Sequence, residues 1–142
     1  ARGAPARGAE LDLEREPDLA PVLAAVAAAA AWNTGARSVL HGLGTLPGKE
    51  SSRIAVLAEG LSALGFAAEA GKDSLAIAPG ARRANEPVEL DPRGDHRMAF
   101  AFALLGLLRE GVFVRDPACV GKSWPGFWTD LARAGVRVVE RA

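Results

Sequence analysis

The chain has 142 residues, 49% of them hydrophobic, which suffices for one domain with a modest core and excludes a disordered segment. Lys plus Arg equals Asp plus Glu at 17 each, so the chain lacks the basic excess of a nucleic-acid-binding or membrane-surface protein. The single Cys119 excludes an internal disulfide framework, and no membrane-spanning run or apolar signal-peptide core is present, so a cytoplasmic location is expected.

The chain opens on Ala1 without an initiator Met, which suggests a piece of a longer polypeptide, and residues 1–9 read as irregular. Residues 10–13 form a strand candidate. Asp18 can cap an Ala-rich helix that runs to about Trp32, with Pro21 tolerated in its first turn. Residues 37–42 read as a strand and 42–48 as a Gly-rich loop. Residues 51–64 place Ile54, Leu57, Leu61 and Leu64 on one face of a helix that Gly65 stops. A hairpin at 66–70 and 74–78 follows, then a polar loop at 82–85 and a strand at 87–90. Asp95 caps a helix to about Arg109. A strand at 112–115, a helix at 123–134 and a closing strand at 136–140 complete the chain.

The order β-α-β-α-β-β followed by β-α-β-α-β is a weak internal repeat with a period of about 70 residues. The first helix of each unit is apolar almost all round and must be surrounded by protein. The strands alternate, as Val88 and Leu90 do against Glu89, and so turn one face to water. This predicts an α/β (α+β) fold with helices inside and sheets outside.

Three segments set cations beside the starts of helices. In Lys49-Glu50-Ser51-Ser52-Arg53, Lys49 and Arg53 lie one turn apart, and two readings are open. The segment is a solvated cap with Ser51 or Ser52 as the capping residue, or it is an anion clamp with an adjacent acid. In Asp95-His96-Arg97-Met98, Asp95 is a helix cap, whereas cations in a first turn oppose the helix dipole and call for an anion. Arg97 can grip a carboxylate or phosphate with two donors, and His96 can add a hydrogen bond. Lys122 precedes Ser123-Trp124-Pro125, where Ser123 reads as a cap. Cys119 reads as a small buried residue, and Trp32, Trp124 and Trp128 as packing. His41 and His96 lack partners at ligand spacing, so no metal is expected.

In order and spacing, Pro17-Asp18-Leu19-Ala20-Pro21, Lys49-Glu50-Ser51-Ser52-Arg53, Asp95-His96-Arg97-Met98-Ala99 and Lys122-Ser123-Trp124-Pro125-Gly126-Phe127-Trp128 resemble the C-terminal part of the 3-phosphoshikimate 1-carboxyvinyltransferase (EPSP synthase) family. The resemblance implies the inside-out α/β barrel of the enolpyruvyl transferases, built from βαβαββ units. Residues 1–142 would be a single partial domain, about two of the three units that close one domain. It implies transfer of the enolpyruvyl group of phosphoenolpyruvate to the 5-hydroxyl of shikimate 3-phosphate, a step of aromatic amino acid biosynthesis, without a cofactor. Asp18 would contact shikimate 3-phosphate and act as base, Thr45 and Lys49 would bind the same substrate, and Glu50 would protonate the phosphoenolpyruvate methylene. Lys49, Arg53, His96, Arg97 and Lys122 would hold phosphoenolpyruvate.

Ser52 stands where the family often has Asp, and Thr45 where it often has Asn. The family's N-terminal Asp-Lys-Ser and Asn-Ala-Gly-Thr segments do not occur in these residues, so the remainder of the enzyme is an implied partner and the chain alone is expected to be inactive. Two alternatives remain. One is a non-catalytic module that binds an anion or a partner subunit. The other is enolpyruvyl transfer onto UDP-N-acetylglucosamine.

Overall fold

The computed structural model describes residues 7–49, 52–81 and 86–141, and its first unit runs β-α-β-α-β-β as expected. Strand β1 (Glu10–Asp12) leads through a 3₁₀ turn (Pro17–Leu19) into helix α1 (Ala20–Thr34) and strand β2 (Ser38–His41). A second 3₁₀ turn (Leu46–Gly48) precedes α2 (Arg53–Ala63), and the hairpin β3 (Ala67–Ala70) and β4 (Leu75–Ala78) closes the unit. The second unit repeats the opening: β5 (Val88–Leu90), α3 (His96–Leu105), β6 (Val112–Val114), a 3₁₀ turn (Pro117–Lys122) and α4 (Phe127–Arg133).

The repeat is visible in the pairing. In the first sheet, of order β1-β2-β4-β3, β1 lies parallel to β2, and β4 is antiparallel to both neighbours. In the second, β5 lies parallel to β6, with Val88 opposite Val112 and Leu90 opposite Val114. Residues 136–140, expected to be a closing strand, are not one. Val138 and Val139 stay exposed, and Arg141 lays its guanidinium over the Phe113 ring at 4.9 Å. Alternation alone does not make a strand; an edge must also be presented in register.

Two helix boundaries also differ from expectation. Helix α3 ends at Leu105, because Gly106 caps it and the N–H groups of Leu107 and Leu108 fold back onto the carbonyls of Leu104 and Leu105 in the tighter 3₁₀ manner. Helix α4 begins only at Phe127, because Pro125 disfavours helical geometry at Trp124. The polar loop expected at 82–85 lies outside the described residues.

The helices form the inner layer. Alanines on nearly all sides of α1 let α3 approach closely, and this is the most extensive helix pair. Leu40, Leu75 and Ile77 point in from the first sheet and meet Leu57, Leu61, Met98, Phe102 and Leu105. Each such side chain contributes roughly 1.5–3 kcal/mol by burial. β1 and most of β3 face solvent, so the inside-out layering is observed. The α2–α3 approach depends on Gly60, where a Cβ would lie 2.6 Å from Phe102 Cε1. Gly60→Ala should therefore destabilise the fold by about 1–3 kcal/mol despite the better helix propensity of alanine, as read by the denaturation midpoint. An unchanged or higher midpoint would show that α2 and α3 are not in contact there.

One face of α1 is not covered. Leu19, just before the helix, and Val22 and Val26 within it are exposed along one stripe. Apolar stripes of this kind drive association. Replacing Val22 and Val26 together by Gln should reduce hydrophobic-dye binding and self-association while moving stability by less than about 1 kcal/mol. A large loss of stability would show that the stripe is internal to the fold.

Candidate anion-binding and active site

Arg53 is the first residue of α2, where a cation opposes the helix dipole, and its side chain is only 4% exposed. A guanidinium so placed requires anions around it. Asp95 supplies one: Nε donates to Oδ2 at 2.8 Å and Nη2 to Oδ1 at 3.3 Å. The Asp95 side chain is fully buried. Its Oδ1 also accepts the Arg97 backbone N–H at 3.0 Å, which makes it the cap of α3 as the sequence indicated. One carboxylate thus joins the mouths of α2 and α3.

Asp18 supplies the second anion. Arg53 Nη1 donates to its Oδ1 at 2.7 Å. Lys49 Nζ stands 3.8 Å from Oδ1 and Arg97 Nη2 3.5 Å from Oδ2. Asp18 was expected to cap its helix and does not. It sits in the 3₁₀ turn, Leu19 takes the cap position of α1 without a side-chain bond, and the three cations attract the carboxylate instead. Three segments far apart in the sequence therefore meet at one point.

Ser52 takes the cap position of α2, but its side chain makes no capping bond. Glu50 and Ser51 lie outside the described residues. His96 opens α3 and sets its ring edge-on to Phe100, 6.0 Å between centroids. Lys122 is not at a helix mouth as expected. It closes the Pro117–Lys122 turn, a C-terminal position that a cation favours, and Ser123 follows that turn rather than capping α4. This turn packs on α3, and Phe100 clusters with Trp124 and Phe127, 4.6 Å from the latter. Cys119, half-buried in the same turn, has its thiol pushed up by burial first and then by the negative charges of Asp116 and Asp95, against the opposing pull of Lys122. Thr45 lines an open recess with Asp12, Glu14, His41 and Asp73, where Asp12 accepts the Glu14 N–H and His41 meets Glu10 at 2.8 Å. Among the described residues no group of three His, Cys, Asp or Glu is placed to hold a metal ion.

The role of Asp95 beyond capping was missed from the sequence. The signal was present: a buried-face arginine at the start of α2 requires a carboxylate, and a capping aspartate has acceptor capacity to spare.

The arrangement defines a class: an α/β protein of repeated units, helices inward, with a cluster of cations where two helix mouths converge on a pair of aspartates. Residues 1–131 match the model of the family described as EPSP synthase (3-phosphoshikimate 1-carboxyvinyltransferase), and the chain belongs to that family. It is 43% identical over 130 residues to the 3-phosphoshikimate 1-carboxyvinyltransferase of Methanoculleus marisnigri, which covers 92% of this chain and 29% of the relative. The same enzyme of Methanosphaerula palustris is also 43% identical, over 91% of this chain and 29% of its own length. Among solved structures, EPSP synthase from Acinetobacter baumannii superposes with a TM-score of 0.69 at 29% identity, covering 83% of this chain and 27% of that one. The chain thus spans less than a third of the relatives it matches.

Breaking the Arg53–Asp95 pair from one side leaves a buried, uncompensated guanidinium. Asp95→Ala should cost about 3–5 kcal/mol in chemical denaturation. Asp95→Asn, which can still accept the Arg97 N–H, should cost less. Equal losses for the two variants would mean that the charge, not the cap, carries the effect, and a near-wild-type Asp95→Asn would mean the reverse.

Proposed function

We propose that this chain is the C-terminal portion of an EPSP synthase, one wall of a site that transfers the enolpyruvyl group of phosphoenolpyruvate to the 5-hydroxyl of shikimate 3-phosphate, and that it works in the cytoplasm. The observation that carries the reading is the convergence of Lys49, Arg53 and Arg97 on the Asp18 carboxylate. Both substrates are polyanions, and cations at helix mouths suit them. No helix of the described residues is long and apolar enough to cross a membrane.

In this reading Asp18 contacts shikimate 3-phosphate and takes the proton of the attacking hydroxyl, with Lys49 and Thr45 on the same substrate. Glu50 delivers a proton to the methylene carbon of phosphoenolpyruvate as the hydroxyl oxygen bonds to its C2. Loss of phosphate from the tetrahedral adduct, with a methyl proton taken back by the Glu50 carboxylate, then restores the carbon–carbon double bond of the product. Lys49, Arg53, His96, Arg97 and Lys122 hold phosphoenolpyruvate. The rest of the enzyme supplies the other wall, so the 142-residue chain alone should show no turnover. Lost orientation can account for about 7–11 kcal/mol of barrier.

The test is steady-state kinetics on the full-length protein that contains this chain. Glu50→Gln should lower kcat by about 10²–10⁴-fold, the usual worth of positioned proton transfer. Lys122→Met should instead raise KM for phosphoenolpyruvate with kcat within a fewfold, because its charge meets groups present in both ground and transition states. If Glu50→Gln leaves kcat within about twofold, the acid assignment is wrong.

A further inference from the structure

The two aspartates at the site are held in different ways. Asp95 is fully buried, caps α3 and receives two bonds from Arg53, so it cannot move without dismantling both helix mouths. Asp18 has a side chain 41% exposed, lies on a short 3₁₀ turn and caps no helix. Its bond to Arg53 Nη1 is tight, whereas Lys49 and Arg97 stand at ion-pair distances of 3.8 and 3.5 Å, beyond normal hydrogen bonding. Three cations therefore share one half-exposed carboxylate.

We propose that Asp18 is the resident anion of this cluster and a specificity-determining residue: an incoming anion reaches Arg53, Arg97 and Lys49 by taking the place of its carboxylate, which admits polyanions and turns monoanions away. The proposal rests on the reading above that the cluster binds substrate anions. The reasoning is electrostatic. Exchanging one carboxylate for another brings no new charge to the cluster, and the intramolecular competitor has the advantage of a high effective concentration. A dianionic phosphate, or a phosphate and a carboxylate on one molecule, brings charge that Asp18 cannot match. Asp18 lies on a short 3₁₀ turn and caps no helix, so it can withdraw once the incoming anion takes over its bond from Arg53 Nη1, and a withdrawn Asp18 is available to a hydroxyl of a second ligand. The selection is thus built into the apo arrangement and needs no steric filter.

The experiment is calorimetric titration of the 142-residue chain, at fixed ionic strength, with phosphoenolpyruvate, inorganic phosphate and pyruvate as the monoanion. Wild type and Asp18→Glu should bind phosphoenolpyruvate in strong preference to pyruvate. Asp18→Asn and Asp18→Ser should bind pyruvate about tenfold or more tighter than wild type and phosphoenolpyruvate no more weakly, so that the preference shrinks. Two uncharged variants guard against a folding failure of one, and a thermal melt of each confirms the fold. If wild type binds phosphoenolpyruvate but both uncharged variants keep its preference, or bind both ligands more weakly, Asp18 assists the anion rather than competing with it and the proposal is overturned alone. If no variant binds phosphoenolpyruvate or phosphate, the proposal and the anion-site reading fall together.

Discussion

The site depends on a single buried charge pair. Arg53 starts α2 where the helix dipole opposes it, and it is tolerated there because Asp95 meets two of its nitrogens inside the protein. Burying such a pair is costly unless its remaining donors and acceptors are satisfied. Here each guanidinium nitrogen has an acceptor: Arg53 donates from its third nitrogen, Nη1, to Asp18, and Asp95 also takes the Arg97 N–H. The pair therefore does more than neutralise charge. It ties the mouth of α2 to that of α3, and so fixes the placement of Arg53 beside Arg97.

The helical layer behind the mouths makes that spacing rigid. α1 and α3 come together because α1 presents alanine where a larger residue would hold them apart. α2 and α3 come together over Gly60, with the Phe102 ring against the space a Cβ would fill. Interiors of this density transmit position rather than absorb it. The sheets lie outside, which leaves the helix mouths open along one end. In more common α/β layering helices cover the sheet faces, and here the order is reversed.

The chain spans less than a third of its relatives' length, and a stripe of apolar residues on α1 is exposed. The second unit reproduces the parallel strand pair of the first without its hairpin among the described residues. Asp18, Lys49, Arg53, Asp95 and Arg97, from three separate segments of the chain, form one charged cluster.

Much of this was legible in residue order. The 3.6-residue pattern of Ile54, Leu57 and Leu61, the alternation around Glu89, and the apolar α1 and α3 specified elements and layering, because local periodicity reports directly which side of an element is buried. The four motifs likewise identified the family and the charged residues. What no local pattern contained was which acid faces which cation. Asp18 looked like a cap and is a counter-ion, Asp95 looked like a cap and is both, and Lys122 looked like a helix mouth and ends a turn. The residues 136–140 alternate like a strand and are none, for want of an edge in register. Capping and pairing compete for the same carboxylate oxygens, and the outcome depends on charges dozens of residues away. Sequence thus determined the elements and their inward faces. Only the tertiary structure decided the pairing, because charge interactions depend on distances in space that the packing of three helices creates.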